Sequence, residues 1–437
     1  MSLQETSNKP HARTLSSGRL RRGRVGALAF LATGTLLAGC ASAAPGTAAP
    51  ESVAAPSATA PVVSEAGSAT PRLVLTYDGG LLVADARDGA VLSEHRLEAF
   101  NRVNPAGDGR RVLVSTAGGF RVLDAGAWSE KHGGHSHHYT TEPSLTGLVF
   151  PAGKPGHAVV HARHTALFDD ATGKINIFES TRLANHELPR TDDVALPEAH
   201  HGVAVRREDG TLLVTDGNAE AVDAVKLLSA PDAGHRRATV AESTQCPGVH
   251  GEAVAKDEAM VVGCEDGILI IKDEKITKLA APDAYGRIGN QAGSEASTVV
   301  LGDYKTDKEA ELERPRTFSL TDTATNSLKL IDIDYSYSFR SLARSASGDA
   351  LLLGTDGKLH VYDVKTGKEK RAVAVVEAWE EPVDWQQQRP AVHVAGAIAY
   401  VTEPASKRLH LVDLKTGKVS GTVDLPEVPN EITSIAG

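Results

Sequence analysis

The chain has 437 residues, 41% hydrophobic and 23% charged, a composition that excludes both a disordered tail protein and a polytopic membrane protein. Its formal charge is −10, and the first 39 residues hold six of the cations (Lys9, Arg13, Arg19, Arg21, Arg22, Arg24) against Glu5 alone, so the rest of the chain carries −15. A domain this acidic, with 4% aromatic residues, repels phosphate backbones and lacks stacking platforms, which excludes nucleic acid as a partner and favours cations.

Residues 1–39 read as an export signal. Arg19 to Arg24 form a basic region and Val25 to Ala38 an apolar one, too short for an ordinary membrane span. The segment ends Leu36-Leu37-Ala38-Gly39-Cys40, which resembles the bacterial lipobox. Cleavage before Cys40 would leave a diacylated cysteine anchoring the mature protein to the outer face of the cytoplasmic membrane, an extracytoplasmic setting. The alternative is a secreted protein cut at Ala41-Ser42-Ala43. Arg21-Arg22 allows twin-arginine export, although the residues after it match that pattern poorly. From Ala41 to Thr70 the chain is Ala, Pro, Ser, Thr and Gly with almost no large apolar residue, so it buries too little surface to fold. Residues 40–71 are expected to be a disordered tether and 72–437 the folded domain.

Beyond Arg72 the elements are short apolar runs separated by Asp-Gly or Thr-Gly turns, each a strand or the turn after it. Leu81-Leu82-Val83-Ala84-Asp85 and Phe120-Arg121-Val122-Leu123-Asp124 are early copies. The phrase Leu359-His360-Val361-Tyr362-Asp363 followed by Lys365-Thr366-Gly367-Lys368 returns as Leu409-His410-Leu411-Val412-Asp413 and Lys415-Thr416-Gly417-Lys418. No helical stretch interrupts them. A period in the mid-forties with four short strands per unit marks an all-β fold, a single β-propeller. Over the 366 positions from 72 to 437, repeats of about 40 to 50 residues favour eight four-stranded blades, with seven as the alternative. Glu431 to Ala436 has the pattern of an innermost strand without a blade of its own, while Arg72 to Leu75 begins as a second strand. The N- and C-terminal strands are therefore expected to share one blade and close the ring.

Histidine carries the functional signal: of 17, twelve lie between 132 and 250. The densest run is His132-Gly133-Gly134-His135-Ser136-His137-His138-Tyr139, read as a loop between strands of the second blade. Neutral imidazoles held this closely suit Zn²⁺ or Cu²⁺. Glu198-Ala199-His200-His201-Gly202-Val203-Ala204-Val205 and Pro247-Gly248-Val249-His250-Gly251-Glu252-Ala253-Val254 share a His-Gly start in neighbouring repeats. His201 and His250 should enter the central channel there, with His200 turned to the opposite side of its strand and a weaker candidate. One or two of the loop histidines would complete a tetrahedral shell around them. His157, His161 and His164 flank a strand whose alternation separates their side chains, and are assigned to surface or packing. His360 and His410 occupy equivalent places in the repeated phrase and are architectural, and His393 is off the His-Gly register. Asp216, Glu252 and Glu403 are candidate partners that orient imidazoles. Cys246 and Cys264 are left as a pair once Cys40 is assigned to lipid, suiting a disulfide in an oxidising compartment or, alternatively, thiolate metal ligands.

Together the exported propeller, the HGGHSHHY run, the HHGVAV and CPGVHGEAV segments and the cysteine pair resemble the AztD-type periplasmic zinc metallochaperones over 72–437. The chain is expected to be monomeric and non-enzymatic, and the resemblance implies that it binds Zn²⁺ outside the cytoplasmic membrane. It implies transfer to the solute-binding protein of a zinc ABC transporter, with His135, His137 or His138 as loop ligands and His201 and His250 as channel ligands. Some relatives carry a His/Asp-rich N-terminus, whereas residues 41–71 contain no His; donation would then rest on the run from His132 to His138. Three rival readings are an enzyme, a copper-handling protein and a non-metal interaction propeller. Against the first, the chain has no nucleophile elbow and no CxxCH, and Trp128, Trp379 and Trp385 do not recur by blade. Against Cu⁺ trafficking, Met260 is the one methionine in the propeller. A site made of imidazoles is expected to lose zinc as pH falls through about 6.5.

Overall fold

The computed structural model describes residues 62–437. The expected export signal, the expected lipidation site at Cys40 and the expected tether as far as residue 61 lie outside the described residues. Ordered structure begins earlier than Arg72: Ser64–Ala66 is already a strand, paired antiparallel with residues 138–140. Composition missed it because a partner strand supplies the hydrogen bonds and little side-chain burial is required.

Eight four-stranded antiparallel sheets follow. The second is Arg102–Pro105, Arg111–Thr116, Gly119–Asp124 and Ser144–Pro151; the third is Pro155–His161, His164–Asp169, Lys174–Glu179 and Asp192–Ala195. The fourth is Ala204–Arg206, Leu212–Gly217, Val222–Leu228 and Thr239–Ser243. The fifth is His250–Val254, Met260–Cys264, Asp266–Lys272 and Lys275–Ala280, joined on its third strand by Gly286–Arg287. The sixth, seventh and eighth open on Gln291–Ala292, Tyr337–Arg344 and Val392–Ala395. Each sheet touches the next, and the eighth touches the first, so the sheets form a closed ring, a β-propeller.

Burial explains the sequence pattern strand by strand. Second strands such as Ala350–Gly354 and Met260–Cys264 are covered by neighbouring sheets on both faces and are buried at every position. Outermost strands such as Val91–Arg96 and Glu369–Ala374 border solvent and alternate. The repeated Asp-x-Lys-Thr-Gly phrase is a turn: Asp363 Oδ1 accepts from the Lys365 and Thr366 amides at 3.1 and 2.8 Å. Asp413 accepts from Lys415 and Thr416 at 2.8 and 3.0 Å. Those amide bonds hold both carboxyls below the usual range.

The first sheet is shared between the chain's two ends. Ile432–Ile435 pairs with Arg72–Tyr77, which continues into Gly80–Asp85 and Val91–Arg96. Next to this closure Glu431 receives Arg102 from the second sheet at 3.2 Å and Arg340 from the seventh at 3.3 Å. Beside it His393 packs with Nε2 2.8 Å from Ser434 Oγ. Burial pushes the His393 pKa down to about 4. The unfolded chain takes up this proton near pH 6.5 and the folded chain near 4, so stability is full above 6.5 and falls as pH drops between the two. The loss approaches roughly 3 kcal/mol. Urea midpoints of the zinc-free protein are expected to fall over that window and to fall less in His393→Gln; an identical slope in the variant would refute the assignment.

Candidate metal centres

Three neighbouring sheets each send one imidazole to a common point. His157 lies near the start of the first strand of the third sheet, and His250 opens the first strand of the fifth. His201 sits in the bend just before the first strand of the fourth. Ring centroids are 5.0 Å apart for His157 and His201, 5.5 Å for His201 and His250, and 6.2 Å for His157 and His250. One nitrogen from each lies within 4.8 Å of the other two.

The other nitrogen of each ring faces an acceptor. His201 Nδ1 is 2.7 Å from Asp170 Oδ2, His250 Nδ1 is 2.6 Å from the Gly289 carbonyl, and His157 Nδ1 is 3.4 Å from Glu252 Oε2. At His201 and His250 the acceptor bonded to Nδ1 leaves the Nε2 lone pair for a cation, the arrangement found behind metal-bound histidines. Three imidazole nitrogen donors with room for a fourth ligand suit Zn²⁺. Burial, reinforced by His157, Arg287 and His201 and opposed by the Gly289 carbonyl, pushes the His250 pKa down to about 4. This ring therefore stays neutral well below the expected 6.5.

Local chain geometry accounts for the His-Gly phrases. Gly251 has φ +73°, the pairing register shifts between His250 and Glu252, and a Cβ on Gly251 would lie 2.1 Å from Gln291 Oε1. The glycine thus makes a bulge that re-aims His250. At Gly202 a Cβ would lie 2.2 Å from the Phe168 ring, so the glycine lets His201 approach Asp170. The triad lines a cavity of about 670 Å³ together with Arg102, Lys154, Arg287, Phe339 and Trp385.

The second cluster is on a β-ribbon where a loop was expected. Ala127–His132 and His135–Thr140 form a hairpin across Gly133-Gly134, with Gly133 at φ +57°, and Ser64–Ala66 adds a third strand. A two-residue turn of this kind needs glycine. Period-two alternation puts His135, His137 and Tyr139 on one face with their partners His132, Glu130 and Trp128. His135 Nε2 and His137 Nε2 are 3.0 Å apart, and His132 stands with ring centroids 5.6 and 5.8 Å from theirs. One nitrogen from each of the three lies within 4.8 Å of the other two. The same alternation sends His138 to the opposite face, where Nδ1 is 2.7 Å from Ser129 Oγ.

The ribbon does not complete the channel shell; the third channel imidazole is His157. First and third strands of a sheet run the same way, and Arg102, which opens the first strand of the second sheet, lines the channel cavity. The ribbon follows the third strand of that sheet, Gly119–Asp124, so it leaves the ring on the other face.

The remaining candidates turn elsewhere. His200 is buried, with Nδ1 3.1 Å from the Glu198 carbonyl and Nε2 3.0 Å from Thr215 Oγ1, so both nitrogens are used internally. His161 meets Glu258 at 3.0 Å and His164 meets Arg206 at 3.1 Å. His360 bonds Asp356 and Glu369, and His410 bonds Glu403. Of the proposed acidic partners Glu252 faces the triad, whereas Asp216 pairs with Lys226 and Glu403 with His410. Asp170 was missed because its contact with His201 crosses from the third sheet to the fourth, and Glu65 because 72 residues separate it from His137 in sequence. Cys246 and Cys264 form a disulfide, buried in the core shared by the fourth and fifth sheets.

No family model matches the chain. It does resemble the zinc chaperone AztD of Citrobacter koseri, at 25% identity over 365 residues, 81% of this chain and 83% of that protein. The crystal structure of Citrobacter koseri AztD superposes with a TM-score of 0.72 at 22% identity, covering 85% of this chain and 99% of that one. Apo AztD from the same organism gives 0.69 at 21% identity, covering 84% and 98%. The structural likeness establishes a shared fold. Among the described residues no helix is long and apolar enough to cross a membrane.

Proposed function

We propose that this chain is an extracytoplasmic zinc metallochaperone, anchored through Cys40, that hands Zn²⁺ to the solute-binding protein of a zinc ABC transporter. The observation carrying the reading is the convergence of one nitrogen each from His157, His201 and His250, with Nδ1 of His201 and His250 hydrogen-bonded behind the ring. A relative named as a zinc chaperone supports it. Zn²⁺ is the cargo. In this reading the channel triad supplies three ligands and His132, His135 and His137 form a second, exposed binding point.

Three imidazoles hold zinc yet leave one tetrahedral position for an incoming ligand. His201, whose side chain is 43% exposed, is the ligand an acceptor reaches first. Exchange then passes through mixed complexes, with donor imidazoles leaving as acceptor ligands bind, and free ion never forms. Asp170 and the Gly289 carbonyl keep the imidazoles aimed while this happens.

The test is zinc content and transfer. Purified protein is expected to bind two Zn²⁺, one lost in His201→Ala/His250→Ala and the other in His135→Ala/His137→Ala. Apo solute-binding protein should fill from the loaded chain at an undiminished rate when excess chelator is present. No tight zinc in the parent overturns the chaperone reading, and complete interception by the chelator overturns direct transfer.

A further inference from the structure

The short strand Ser64–Ala66 does something specific at the ribbon. Its register sets Ser64 opposite Thr140, Glu65 opposite Tyr139 and Ala66 opposite His138. Glu65 therefore shares the face of His135 and His137, and its Oε1 lies 2.9 Å from His137 Nδ1. A slip of one residue would turn it to the other face. His137 Nε2 meanwhile faces His135 Nε2, so the carboxylate sits behind the ring and the metal-binding side is in front.

Among the described residues little else holds this strand down. Glu65 is 64% exposed on its side chain, and Val62 and Val63 are 81% and 52% exposed. Beyond backbone pairing, the described contacts are Glu65 with His137 and the Thr141 hydroxyl donating to the Val62 carbonyl at 3.1 Å. We propose that Ser64–Ala66 is a metal-linked latch, in which Glu65 is a positioning residue for His137 and a cation on the ribbon fastens the strand. A cation on Nε2 polarises the ring and strengthens the Nδ1–H bond to the carboxylate. By reciprocity, docking of the strand then raises cation affinity as much as the cation favours docking. Since residues 67–71 lead directly into the first sheet, loading of the ribbon would be felt where the chain enters the ring. The inference rests on the proposal that the ribbon binds zinc.

The experiment uses the purified protein carrying His201→Ala/His250→Ala, so that the ribbon alone reports. In competitive zinc titration Glu65→Ala is expected to weaken binding about 10- to 100-fold and Glu65→Gln less. Ser136→Ala, which alternation places on the opposite face of the ribbon, should match the parent. Hydrogen exchange at residues 63–66 should slow on adding zinc, and this protection should vanish in Glu65→Ala. If zinc binds but Glu65→Ala stays within about twofold of the parent, or zinc leaves that exchange unchanged, the latch is overturned while the ribbon site stands. If the ribbon binds no zinc, both fall.

Discussion

Replacing His157 by alanine is expected to weaken zinc at the channel triad by about 100- to 1000-fold, as much as replacing His201 or His250. Structural zinc sites are worth about 10 to 16 kcal/mol across four ligands, so one imidazole accounts for about 3 to 4 kcal/mol, or two to three decades. His200→Ala, next in sequence to His201, should change zinc affinity by no more than about threefold, because both its ring nitrogens are used by Glu198 and Thr215. Competitive titration of the four variants checks this. A His157→Ala protein that keeps the parent's affinity, or a His200→Ala protein that loses it, would place the ion elsewhere.

The second large effect concerns the disulfide. Cys246 lies between the outer strand of the fourth sheet and His250, and Cys264 ends the strand against which His250–Val254 pairs. The two are 18 residues apart, and closing a loop of that size stabilises a fold by about 3 kcal/mol. Both sulfurs are buried with Val249, Met260 and Leu269, so an alanine pair also leaves a small void. Cys246→Ala/Cys264→Ala should lose about 3 to 4 kcal/mol in urea unfolding. It should also bind zinc at the triad more weakly, because the segment that delivers His250 is tied down by this bond. Unchanged unfolding and unchanged affinity would show that hydrogen bonding alone positions the segment.

The ring was readable because its repeats are local. Asp-x-Lys-Thr-Gly turns and buried apolar runs recur in register, and the unpaired pattern of Glu431 to Ala436 identified the closing strand. The triad was half readable for the same reason: His201 and His250 share a His-Gly phrase, made necessary by the Phe168 ring in one case and a bulge in the other. His157 has no following glycine, and strand alternation groups it with His161 and His164. The signal that would have found it is position, since His157 lies near the start of an inner strand and His250 opens one. Within the HGGHSHHY run, reading Gly-Gly as a hairpin turn separates His138 from His135 and His137 by alternation alone. What stayed illegible were the long-range partners. Asp170 reaches His201 across 31 residues and Glu65 reaches His137 across 72, and no local pattern encodes either.

The shared first sheet has a consequence for the order in which the molecule comes into being. Arg72–Tyr77 is among the earliest strands to be made, yet its inner neighbour is Ile432–Ile435, and the Glu431 amide reaches Thr76 Oγ1 at 2.9 Å across 355 residues. Until that late segment arrives, an early strand waits with one edge bare, exposed to pairing with other chains. Contacts of such sequence separation also make closure slow. A ring closed by its own two ends cannot be sealed while the chain is still being made, so the finished propeller forms only once the last residues are available.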